Sequence, residues 1–144
     1  MTGPDNQFVN NKIFPSFFKL RYGILLLGAD SAIIKGNIIK GHEAGILVRA
    51  ANNVIIQANT ITDNSSEDEL SGGIFLSADS DGTVIISNIV VENLPENIVD
   101  DGSSTNTLLA DNTFDTQIRS PTPAPTPPPT LKPTPAPTPS PIPL

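Results

Sequence analysis

Five stretches of the chain, QFVNNKI, IIKGNII, IIQANTI, VIISNIV and LLADNTF, are variants of one pattern. Each is built on an asparagine: Asn11, Asn37, Asn59, Asn88 and Asn112, at intervals of 26, 22, 29 and 24 residues. An apolar residue stands three places before each anchor (Phe8, Ile34, Ile56, Ile85, Leu109). Another stands two places after it (Ile13, Ile39, Ile61, Val90, Phe114). A second motif precedes the last four anchors, in GILLL, GILVR, GIFLS and NIVDD, starting at Gly23, Gly45, Gly73 and Asn97. Five places into each lies a small residue: Gly28, Ala50, Ala78 or Gly102. Self-similarity at a period of about 22 residues marks a solenoid, whose repeats bury their apolar faces only by stacking.

Within a repeat the apolar residues alternate with a period of two, the strand period rather than the helical one. In GILVRA, Ile46, Val48 and Ala50 are expected to face inward, and Leu47 and Arg49 outward. In VIIQAN, Ile56 and Ala58 are expected inward. The Val, Ile and Thr content disfavours helix, as do the frequent Gly and Asn interruptions. Each repeat reads as three short strands, two tight corners and one variable loop, which takes up insertions such as DNSSEDELSG. Such repeats close only as a coil, with equivalent strands stacked in parallel about 4.8 Å apart. Stacking brings Asn11, Asn37, Asn59, Asn88 and Asn112 into register. Their amides each carry a donor and an acceptor, and so can bond coil to coil as a structural ladder.

The pattern GIxL…NNxIxxNxI resembles the right-handed parallel β-helix repeat of the pectate-lyase-like superfamily, over about residues 7–117. The resemblance implies an all-β fold: a right-handed parallel β-helix of about four coils, followed by a disordered Pro/Thr-rich tail. It is specific for fold and not for activity, because the superfamily includes polysaccharide lyases, hydrolases, uronate epimerases, phage tailspikes and adhesins.

The chain divides into an incomplete first coil or cap (1–21), β-helix coils (22–118) and an extended linker (119–144). Twelve of the 15 prolines follow Ser120, and PTPAPT occurs twice among them. Proline removes donors and fixes φ, so this segment is expected as a polyproline II spacer. A spacer implies adjoining domains of a longer chain as partners. Phe14, Phe17 and Phe18 are expected to fold over the open first coil.

Charge narrows the partners. The net charge is −7, and residues 50–118 carry twelve acids with no Lys or Arg. Residues 1–49 carry six bases against three acids. Nucleic acid is excluded as a partner, since phosphate binding needs clustered bases. The apolar runs are too short to span a membrane. No cysteine is present, and no basic segment leading into an apolar run marks a secretory signal in this chain. The spacer and the resemblance together point to an extracellular or cell-surface setting. A basic start and an acidic finish, mapped along a solenoid axis, point to head-to-tail self-association.

In the enzymes that the chain resembles, substrate lies along the first sheet of each coil. Its outward columns here are Leu25, Leu47, Phe75 and Val99, and beside them Leu27, Arg49, Ser77 and Asp101. Arg49, Phe75 and Asp101 are the ligand-binding candidates. Asp100 and Asp101 in VDDG loosely resemble the paired aspartates of polygalacturonases, but that family's Asn-Thr-Asp, Gly-His-Gly and Arg-Ile-Lys motifs are missing. No catalytic residue is assigned. Alternation aims Asp100 and Asp111 at inward columns, where only an open coil end lets a carboxylate reach water. DSDGT has the outline of a calcium loop, making Asp79 and Asp81 the metal candidates, although further oxygen ligands are missing. The sequence therefore points to a non-catalytic structural or binding module of a secreted or surface protein, related to polysaccharide. The alternative is a piece of a β-helical carbohydrate-active enzyme whose catalytic residues lie elsewhere.

Overall fold

Short runs of branched apolar residues, cut by Gly and Asn, leave room only for strands of two to six residues. The computed structural model describes residues 5–15, 20–67, 71–77, 80–102 and 104–115. The chain opens with β1 (Gln7–Val9) and β2 (Lys12–Ile13). The next two turns are β3 (Tyr22–Leu27), β4 (Ile33–Lys35), β5 (Ile38–Lys40), and β6 (Ala44–Arg49), β7 (Ile55–Gln57), β8 (Thr60–Thr62). The last two are β9 (Gly72–Ser77), β10 (Val84–Ile86), β11 (Ile89–Val91), and β12 (Ile98–Asp100), β13 (Leu108–Ala110), β14 (Thr113–Phe114).

Three parallel sheets run the length of this coil. Sheet A stacks β1-β4-β7-β10-β13, sheet B stacks β2-β5-β8-β11-β14, and sheet C stacks β3-β6-β9-β12. The register matches the sequence columns: Phe8, Ile34, Ile56, Ile85 and Leu109 pair in turn, as do Ile13, Ile39, Ile61, Val90 and Phe114. Ile34, Ile56, Ile85, Ile39, Ile61 and Val90 are fully buried. They meet Ile24, Ile46, Ile74 and Leu26, Val48, Leu76 from sheet C, and the core fills the lumen. No helix among the described residues is long and apolar enough to cross a membrane.

Alternation stops at the corners, and there three inward expectations fail, those for Ala50, Ala58 and Asp111. Asn10, Gly36, Ala58, Ser87 and Asp111 each precede a ladder asparagine, with φ between 52 and 66°. A residue in this left-handed region turns its side chain away and lets the next one point inward. Ala58, Ser87 and Asp111 are accordingly exposed, while Asn37, Asn59 and Asn88 are buried. Ala50, with φ of 49°, is exposed for the same reason. Asp100 does hold the inward register of Leu76, and it is exposed because no described strand stacks above it.

The glycine at the second position of three sheet C strands, Gly23, Gly45 and Gly73, has a steric cause. A Cβ on Gly45 would lie 2.6 Å from Gly73 O, 2.6 Å from Ile61 Cγ2 and 2.9 Å from Asn64 Nδ2. Gly23 and Gly73 are hemmed in the same way, by the Gly45 and Asn97 carbonyls of the following coil and by Ile39 and Val90 of their own. The fourth coil places Asn97 there instead. At the chain's start, Phe14 is 51% exposed, so it does not close the first coil; Phe17 and Phe18 lie outside the described residues. The linker 119–144 also lies outside them.

Candidate functional site

The outer face of sheet C is where the sequence placed its ligand candidates. Register puts Leu25, Leu47, Phe75 and Val99 in one column, and Leu27, Arg49 and Ser77 in the next. Asp101 extends the second column, its N–H donating to Leu76 O at 3.2 Å. Exposure then separates the candidates. Arg49 and Asp101 are exposed, but Phe75 is only 3% exposed and Leu47 only 2%. Phe75 is therefore a covered side chain and offers no open ring to a ligand. Neither residue belongs to the central core cluster, so the middle of this outer face is itself closed over. Arg49 and Asp101 are two strand steps apart with Ser77 between, about 10 Å along the axis. An arginine and one carboxylate at that spacing can hold a polar ligand. They do not make the carboxylate pair of glycoside hydrolysis.

The polar order of the molecule is concentrated at its corners. Asn11 donates its N–H and Nδ2 to Asn37 Oδ1 at 2.8 and 3.0 Å. Asn37 does the same to Asn59, Asn59 to Asn88, and Asn88 to Asn112, all at 2.8–3.0 Å. Each Nδ2 after the first also donates back to a carbonyl of the preceding coil: Phe8, Ile34, Ile56 and Ile85 in turn. Buried amides are thus satisfied by one another, as burial demands.

Two further ladders escaped the sequence reading. At the corner after sheet B, His42 N–H donates to Asn64 Oδ1 at 3.0 Å, and Asn64 donates to Asn93 Oδ1 at 2.9 and 3.1 Å. His42 is buried at this corner, its Nε2 3.4 Å from Ile13 O. The run closes when Asn93 Nδ2 donates to Asn97 Oδ1 and Asn97 Nδ2 donates to Asp115 Oδ1, at 3.1 and 2.7 Å. Asp115 Oδ2 accepts from Glu92 N–H, and these bonds, that of Asn97 foremost, hold its carboxyl below the usual range. The signal for this ladder was present, since His42, Asn64 and Asn93 each stand five places after an anchor.

The third ladder takes up a metal candidate. Asn52 N–H donates to Asp30 Oδ1, Asp81 N–H to Asn52 Oδ1, and Thr105 N–H and Oγ1 to Asp81 Oδ1. Asp81 thus spends one oxygen on the corner, at 2.6 and 2.8 Å. Asp79 lies outside the described residues, among which no three His, Cys, Asp or Glu side chains gather as a metal site. On the surface, Lys40 Nζ lies 2.7 Å from Asp63 Oδ2; that hydrogen bond raises the lysine's pKa and lowers the aspartate's.

Residues 1–118 match the family model described as a right-handed beta helix region. The chain belongs to the right-handed β-helix family. No curated protein and no solved structure matches it. For a right-handed β-helix, membership accounts for the three sheets and the stacked corners and leaves the chemistry of the outer faces open.

Proposed function

We propose that the chain is a non-catalytic binding module of a secreted or surface protein, and that its ligand is a polysaccharide. The outer face of sheet C carries the reading. Among its described column residues stand one exposed base, Arg49, and one exposed acid, Asp101; the neighbouring carboxylate, Asp100, holds the opposite, inward register of Leu76. Hydrolysis needs two carboxylates flanking the bond, and lyase chemistry needs a base beside a carboxylate-bound cation. A rigid stack of strands that presents polar groups spaced along its axis supports holding a chain rather than cutting it. With a net charge of −7, a neutral polysaccharide suits this surface better than a polyuronate.

Affinity electrophoresis of the full chain through gels containing neutral or acidic polysaccharides tests binding. A parallel assay for new reducing ends or unsaturated uronides tests cleavage. Retardation by a neutral polymer, weakened in Arg49→Ala and without product, is expected. Product formation abolished by Asp101→Asn would overturn the reading.

A further inference from the structure

We propose that this β-helix docks head to tail on a second copy of itself, the last coil of one molecule receiving β1 and β2 of the next. The proposal concerns self-association and is independent of any polysaccharide ligand. Its basis is that, among the described residues, each end of the coil lacks what the other end offers.

Consider first the Asn11 ladder. Every inner rung gives its N–H and one Nδ2 hydrogen to the next asparagine's Oδ1, and the other Nδ2 hydrogen to a carbonyl of the preceding coil. Among the described residues, the Asn112 N–H at the last rung has no acceptor and Asn11 Oδ1 at the first rung has no donor. Asn11 Nδ2 likewise lacks the carbonyl that the later rungs use. In a stacked pair, Asn112 would donate to Asn11 Oδ1 of the second copy, whose Nδ2 would donate to Leu109 O.

The strand edges match in the same sense. Leu108 N–H donates to Thr83 O, and Ala110 O accepts from Ser87 N–H. Parallel pairing alternates, so Leu109 turns its N–H and carbonyl to the open edge of sheet A. Ile33 N–H donates to Asn6 O, which places the open-edge groups of β1 on Gln7 and Val9. Leu109 and Phe114, both in inward columns, are 52 and 46% exposed. Phe8 and Ile13 of a second copy would continue those columns over them.

Sheet C explains why the occupant is a second copy and not simply another strand. At the Gly23 and Gly45 positions a Cβ would stand 2.7 and 2.6 Å from the following coil's carbonyl. Asn97 has that Cβ, so an in-register strand above β12 is blocked. Among the described residues the first turn enters through sheets A and B, and the first strand of sheet C is β3. A second copy therefore brings strands to β13 and β14 and none to β12, where Asp100 keeps its access to water. Charge agrees, because Lys12 would stack on Thr113, two residues from Asp115 and beside Asp111.

Such an interface is heterologous and does not close, so it grows as linear oligomers. Sedimentation velocity on the full chain tests it, at low and at high salt, with two variants. Gln7→Pro blocks the first edge without removing an intramolecular hydrogen bond, and Leu109→Lys blocks the last coil at an exposed position. Circular dichroism confirms that both fold. Wild type is expected to form a concentration-dependent series at low salt, reverting to monomer as screening rises. Each variant alone is expected to be monomeric. Their equimolar mixture is expected to give a heterodimer and nothing larger, because one sound end remains on each. A wild type monomeric at low salt, or variants that associate as wild type does, overturns the proposal. So does association that starts only when residues 116–144 are deleted, since those residues would then be what covers the end.

Discussion

Asn88 Oδ1 accepts both the main-chain N–H and the Nδ2 of Asn59, at 2.8 and 3.0 Å, although the two residues are 29 apart in sequence. The intervening loop is the longest between rungs, yet the geometry equals that between Asn37 and Asn59, which are 22 apart. Corner geometry is thus insulated from loop length. Six of the seven extra residues are absorbed between sheets B and C and one between sheets C and A, while the rungs keep their spacing.

Removing a middle rung should cost far more than removing an end one. Asn59→Ala deletes four hydrogen bonds and leaves the buried Asn37 N–H, and one of its two Nδ2 hydrogens, without the acceptor they share. A loss of about 3 kcal/mol or more is expected in urea unfolding. Asn11→Ala deletes only the Nδ2 bond to Asn37 and should cost about 1 kcal/mol. Equal losses at both positions would mean that the amides are not stacked as a ladder.

Gly45→Ala probes the approach of neighbouring coils. The added methyl meets the Gly73 carbonyl, Ile61 and Asn64, two of them backbone or core. Overpacking of this kind costs about 1–3 kcal/mol. A thermal midpoint unchanged from wild type would show that the coils stand further apart than 2.6 Å from that Cβ allows.

Ile56→Asp places a charge at the centre of the sheet A column, where the side chain is fully buried. No cation faces it in the core cluster. The expected result is loss of cooperative melting and of the strand spectrum in circular dichroism, since an unpaired buried charge costs several kcal/mol. Retained cooperative melting would place Ile56 on the outside.

Asp115 gives the end of the second ladder a pH dependence. Its carboxyl is held below the usual range, first by Asn97 Nδ2 and then by Glu92 N–H. A depressed folded value contributes stability above the unfolded value, near pH 4, and that contribution is lost as pH falls through the folded value. Wild type should therefore be more stable than Asp115→Ala at neutral pH, with the gap narrowing below about pH 4. Urea midpoints across that range check it; a gap constant with pH would remove the charge from the explanation.

Much of this fold can be read from residue spacing. The columns through Ile34, Ile56 and Ile85 and through Asn37, Asn59 and Asn88 emerge as paired neighbours. What alternation does not convey is the left-handed corner residue, because Ala58 and Ser87 carry no mark of φ in their side chains. The ladder through Asn64 and Asn93 was hidden by His42, which breaks the run of asparagines while keeping the main-chain bond. Phe75 shows a different limit. Its outward register was legible, but register says which face a side chain is on and not whether that face is covered.

The most direct measurement is amide hydrogen exchange at the ladder asparagines, in salt high enough to keep the molecule monomeric. Stacked coils predict that the N–H groups of Asn37, Asn59 and Asn88, each bonded to a side chain of the next coil, exchange only through global unfolding. The Asn112 N–H, with no further rung among the described residues, should exchange faster by orders of magnitude. An Asn59 N–H that exchanges as fast as that of Asn112 would contradict the stacked β-helix itself.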